Sequence, residues 1–490
     1  VYAYLKLVPD DVKAAEQVEE LIDAIGDVTL DSYDDITAAR TAYDKLSDNA
    51  KTLVENYETL TAAEEALAKA EADVISNAIK AIDAIGKVTA DSKDKIEKAK
   101  DAYSAVPERL RDKVTNSDTL DKATERFAVI DTIKQAGAKS EDHFSTVLGT
   151  LADNDIYPVQ SIGGDWAVIA LARAGKLSAD KAAKYYSELC EAVKANGSDR
   201  LSDRKPTENA RVIIALSSLG KNSADIAGHN LLSGLDDMDY ITSQGINAVI
   251  FSLIAFDTTD YSAKTHDELI TYIVDNMTGK GWALAGDTAD VDITAMAIQA
   301  LAPYAADEKV NAAIDSGLEF LSESLDENAR YANGSESTSQ VLIALAALGI
   351  DPLTDSRFIV DGITLIDSLE SYATENGYSH TLGGEENYMA TEQAALALTA
   401  YELSKDDSSL YDMSVKNEPA TPDEPANPDE PVTPGNSSGT PDEPILPGDC
   451  SGKPEDKNDP INPGTGVLVT GGMAVLISGA VMLVSKKKRK

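Results

Sequence analysis

Six segments of this chain carry small residues, Leu and Ile on nearly every side of a helix, and a helix apolar all round has to be buried. They are Asp165–Leu171, Asn209–Gly220, Asn247–Asp257, Ile293–Tyr304, Ser339–Gly349 and Glu392–Leu403. Aligned on Leu171, Leu216, Leu253, Leu301, Leu345 and Leu398, they recur at irregular but similar intervals. Six amphipathic, more charged segments alternate with them: Glu141–Asp153, Ser178–Asn196, Asn222–Leu235, Ala263–Met277, Asp307–Leu325 and Arg357–Ala373. Two concentric rings satisfy both patterns, because the outer helices cover the inner ones and the inner ones line a central cavity. The expected fold class is all-α, with residues 138–408 forming an (α/α)6 toroid.

A different repeat precedes it. Ile22-Asp23-Ala24-Ile25-Gly26 returns as Ile82-Asp83-Ala84-Ile85-Gly86, 60 residues later. The pattern from Asp31 to Tyr43 returns from Asp91 to Tyr103. A fixed period marks an array. Ile36, Ala39, Tyr43 and Leu46 share one helical face, Ser32 with Asp35 reads as a helix start, and Gly26 and Gly86 read as helix ends. Tyr43 and Tyr103 are expected in the core. No Gly or Pro interrupts Tyr57–Ile85, so one long helix is expected to join the modules, 15–74 and 75–137, into a stiff spacer. Residues 1–14 read as a fragment or the end of a preceding segment.

The alternating segments resemble the α/α toroid shared by terpene cyclases, prenyltransferase β subunits and cobalamin carriers. In such toroids the loops at one end rim the cavity, so the resemblance directs attention to the segments entering the inner helices. Candidate ligand-binding residues there are Asp165, Trp166, Glu208, Gln244, Trp282, Asp287, Gln340, Tyr378, His380, Tyr388 and Glu392. Rigid aromatics with convergent polar groups suit a small-molecule or glycan site. The same Ser, Thr and Asp residues also serve as helix caps. Asp290-Val291-Asp292-Ile293-Thr294-Ala295 resembles the Asp-x-Asp-Asp-Thr-Ala motif of class II terpene cyclases, with Ile293 in place of the third acid. That resemblance makes Asp292 a candidate proton donor and Asp290 its neighbour. Prenyl transfer implies zinc held by Asp, Cys and His. The four histidines, His143, His229, His266 and His380, lack metal spacing, so neither a metal nor another cofactor is expected.

At the far end, Asn462-Pro463-Gly464-Thr465-Gly466 precedes an uncharged run, Val467–Val484, and five basic residues within 485–490. The run has 18 residues, within the ~17–25 that a transmembrane helix needs, and the basic tail stays cytoplasmic. The arrangement resembles the sorting signal of Gram-positive surface proteins. There a sortase cuts between Thr and Gly and passes the chain to the peptidoglycan, which here places the cut between Thr465 and Gly466. Residues 409–461, with Pro-Asp-Glu-Pro three times, read as a disordered wall-spanning linker. Without a visible secretory signal at Val1, the chain reads as a fragment or processed form.

The net charge of -41 argues against nucleic acid, whose phosphates need basic patches. Cys190 and Cys450 suggest no disulfide framework. The expected protein is a wall-anchored surface protein whose toroid binds a small molecule, a glycan or another surface protein without catalysis. The alternatives are a cyclase- or lyase-type enzyme using Asp292, a cobalamin-carrier-like protein and a purely architectural adhesin.

Overall fold

A computed structural model describes residues 9–413. The sorting motif, the apolar run, the basic tail and all of the linker beyond residue 413 lie outside the described residues. Among the described residues the secondary structure is almost wholly helical, and no helix is long and apolar enough to cross a membrane. The chain divides into two compact units, Val1–Thr132 and Ile133–Lys490.

The helices of the first unit are α1 Pro9–Asp23, α2 Tyr33–Asp44, α3 Asp48–Lys51, α4 Tyr57–Asp83, α5 Lys93–Ser104 and α6 Ser117–Gly137. The uninterrupted stretch after Tyr57 forms a single 27-residue helix, α4. Its first half closes a small core containing Ile22, Ile36 and Leu60. Its second half contributes Ala78 and Ile82 to another core with Ile96 and Leu120. Gly26 and Gly86 take left-handed backbone angles just past the helix ends. The helix-start signal differs from expectation. Thr29 caps the chain, its side chain accepting from the Asp31 N–H, while Ser32 Oγ accepts from the Thr29 N–H at 3.1 Å. Thr89 and Ser92 repeat this arrangement. Tyr43 is half-buried, stacked on Tyr57 with ring centres 4.4 Å apart. Arg40 holds Glu64 through two bonds of 2.6 Å beside these rings.

The second unit continues with α7 Ser140–Asp153, α8 Ile162–Arg173, α9 Ala179–Asn196, α10 Pro206–Ser218, α11 Leu231–Leu235, α12 Met238–Thr242, α13 Ile246–Asp257, α14 His266–Asp275, α15 Val291–Leu301, α16 Glu308–Glu323, α17 Ser335–Ala347, α18 Leu365–Glu370 and α19 Tyr388–Ser404. The six all-apolar segments become α8, α10, α13, α15, α17 and α19, buried along most of their length. Each packs on the next in that order, and α19 packs on α8. Trp166 of α8 meets Phe251 of α13, ring centres 5.6 Å apart, although α10 separates those helices in the series.

Two of the six amphipathic segments depart from expectation. Asn222–Leu235 is helical only over α11, because Ala227 and Gly228 take positive φ and Ile226 pairs with His229 in a tight turn. Arg357–Ala373 shortens to α18 for the same reason, with Asp361 and Gly362 at positive φ between the paired Val360 and Ile363. Cys190 lies on α9 and is buried. Cys450, the chain's other cysteine, lies outside the described residues.

Candidate functional site

The entry to the buried helices uses one local device twice. Gly281-Trp282 runs to Asp290, which caps α15 by accepting from the Ile293 N–H at 3.0 Å. Thr294, one turn inside the helix, accepts from the Trp282 N–H at 3.0 Å. Gly377-Tyr378, Asn387 and Thr391 repeat it at α19, with the Tyr378 N–H donating to Thr391 Oγ1 at 2.9 Å. A Cβ at Gly281 or Gly377 would collide with the threonine hydroxyl, so the close approach requires glycine.

This device settles three candidates as packing or capping residues. Trp282 is fully buried and donates its indole N–H to the Ile273 carbonyl at 2.6 Å. Tyr378 is fully buried and donates to Glu370 at 2.6 Å, its ring against His143. Asp290 is a helix cap. Asp287 is exposed and stands apart. Gln244 is half-buried and accepts from the Thr207 backbone N–H and hydroxyl, bridging the starts of α10 and α13.

Three helix starts bring the other candidates together. Asp165 of α8 is wholly buried. It accepts from Arg211 Nε of α10 at 2.8 Å and from the Tyr185 hydroxyl of α9 at 2.7 Å. Arg211 also donates to Glu208 at 2.6 Å. Burial pushes the Asp165 carboxyl up while Arg211 pulls it down, and burial prevails. Glu392 of α19 lies within the electrostatic reach of both Asp165 and Arg211. It is wholly buried, and neither of its carboxyl oxygens has a protein hydrogen-bond partner. Burial drives it up to about 9 against the pull of Arg211, so it is a neutral acid at pH 7. Tyr388, one turn earlier, is partly exposed over Gly163. An unpartnered carboxyl, a guanidinium held by two further carboxyl groups and a phenol can donate to and accept from a ligand in turn.

A second group lies at the starts of α15 and α17. Asp292 accepts a short bond from the Ser337 hydroxyl. Burial raises its carboxyl to about 6, the Ser337 bond opposes this, and Asp290 and Glu336 add to the rise. His380 Nδ1 lies 2.8 Å from Glu336 and within electrostatic reach of Asp292. Deeper in, Gln299, Gln340 and Gln393 form a buried ladder: Gln299 donates to Gln340 at 2.9 Å, and Gln340 donates to Gln393 at 2.5 Å. Among the described residues no three His, Cys, Asp or Glu side chains are placed to hold a metal ion.

The sequence reading missed Arg211, Tyr185, Glu336 and Gln299. Arg211 had a signal, as the one basic residue in the Asn209–Gly220 stretch. Tyr185 had none, because its partner comes from a different helix. Comparison with known proteins finds no matching family model, no similar curated protein and no similar solved structure.

Proposed function

We propose that the second unit is an (α/α)6 toroid that binds a small molecule or glycan at the N-terminal end of its inner helices. It is displayed outside the cell by a chain that a sortase cuts at Thr465–Gly466 and joins to peptidoglycan. The first unit is its spacer. The cyclic order of packing from α8 round to α19 and back supports the toroid. The observation that carries the binding reading is Glu392: a buried carboxyl with both oxygens unpartnered costs several kcal/mol of solvation unless something else completes it. A polar ligand with both donors and acceptors would complete it, with Tyr388 at the opening.

Native mass spectrometry of the full chain after incubation with culture extract tests this. The wild type is expected to retain a bound species that Glu392→Gln holds less well. Equal retention by both, or none by either, would remove the binding reading. Labelling of intact cells tests the display: the body is expected to be surface-exposed, and Thr465→Ala should leave it unattached to peptidoglycan.

A second reading is proton-donor chemistry, which Asp292 favours, since a carboxyl raised to about 6 and steadied by Ser337 can hold a proton near neutrality. Product formed by the wild type and lost in Asp292→Asn would establish it, with ligand retention unchanged.

A further inference from the structure

At the C-terminal ends of the same inner helices lies a cavity of about 590 Å³, within the range of ~300–1,000 Å³ usual for organic ligands. The ends of α13, α15, α17 and α19 form one side, and residues 407–412 fold back to form the other. That return is anchored by Leu410, which is buried, by Arg173 donating to the Ser409 carbonyl at 2.9 Å, and by the Tyr411 hydroxyl 3.4 Å from Gln299.

The lining has one sign of charge. Asp257, Asp407 and Asp412 line it, and no Lys or Arg does. Arg173 lies beside Asp412 but outside the lining. Four helix C-termini add carbonyl groups and the negative ends of their dipoles. Asp257 is held in place by the Tyr304 hydroxyl at 2.6 Å, with His266 Nε2 at 2.9 Å. Ser408 lines the cavity, is 8% exposed, and its hydroxyl has no protein partner. Tyr304 and Tyr411 supply rings, and Ala300 and Ala346 supply apolar wall. A bare metal ion needs far less room and a convergent set of ligands, which the described residues do not provide.

We propose that this cavity binds an organic cation, its ammonium group between Asp257 and the helix C-termini and its apolar part against Tyr304 and Tyr411. Ring faces attract ammonium groups, and carbonyls at helix ends accept their hydrogen bonds. This site is separate from the one at Glu392 and does not depend on it.

The test is calorimetric titration of the full chain with choline, with cadaverine, and with 3,3-dimethylbutan-1-ol as the uncharged isostere of choline, at about 0.15 M salt to screen surface charge. At least one cation is expected to bind, with the alcohol weaker than choline by about 10-fold or more. Asp257→Asn is expected to lose about the same factor. The exposed Asp315→Asn is expected to change nothing. Ala347→Trp, which narrows the cavity without altering charge, should also abolish binding and keeps the test valid if Asp257→Asn loosens the fold. Equal binding of alcohol and choline, equal losses in Asp257→Asn and Asp315→Asn, or no binding of either cation would overturn the proposal.

Discussion

The two units use charge in opposite ways. In the first, charged groups meet at the surface: Arg40 grips Glu64 beside two tyrosines, and Arg109 pairs with Glu71. Asp11 is pulled below its ordinary value by Asn49 and Ser47 while remaining at the surface. In the second, Asp165, Asp292 and Glu392 lie inside, and burial pushes all three upward. A repeat module of about 60 residues buries too little apolar surface to shelter a charge. A unit with six helices buried along most of their length can shelter one, and the cost of doing so marks these acids as candidates for a functional site.

Four substitutions press on that contrast, in descending order of effect. Arg211→Ala should destabilise the second unit by about 4 kcal/mol, because it strips the buried Asp165 of its cation. Urea denaturation followed by circular dichroism reads it; a loss as small as a surface pair gives would break the contrast. Glu392→Gln should act in the other direction. Folding raises this carboxyl from 4.5 to about 9. Its contribution is therefore full below pH 4.5 and is lost as pH rises towards 9. Removing the titration should stabilise the second unit by about 3 kcal/mol at pH 7 and by little at pH 4. Unfolding at both pH values checks the sign.

Gly164→Ala comes next. A Cβ there would run into the Pro158 backbone, which sets the entry to α8. A loss of about 2 kcal/mol is expected, read as a lowered melting temperature of the second unit. Arg40→Ala should cost the first unit only about 1 kcal/mol, since its pair is partly solvated. A much larger loss would show that surface ion pairs hold the first unit together.

Much of the frame was legible because it rests on local rules. Apolar periodicity located α8, α10, α13, α15, α17 and α19, and the missing Gly and Pro located α4. The amphipathic pattern misled where two residues in succession adopt positive φ, as at Asp361-Gly362, an Asp-Gly pair that is itself a turn signal and breaks the helix the periodicity suggests. In the candidate site, Asp165, Glu208 and Glu392 come together at the helix starts that the sequence singles out. Trp282 and Tyr378 share that position in sequence, yet the turn built on Gly281 and Gly377 folds both rings into the core. The partners that give the acids their character, Arg211 and Tyr185, depend on which helices become neighbours, and no spacing encodes that.

The proposed binding site depends on Glu392 being a neutral, unpartnered acid inside the second unit. Carbon-13 NMR of the glutamate-labelled chain, as the difference between wild type and Glu392→Gln, observes that carboxyl alone. A resonance that titrates near pH 9 is predicted. One that titrates at the ordinary glutamate value of 4.5 would mean that the group reaches water, and the site built around it would fall.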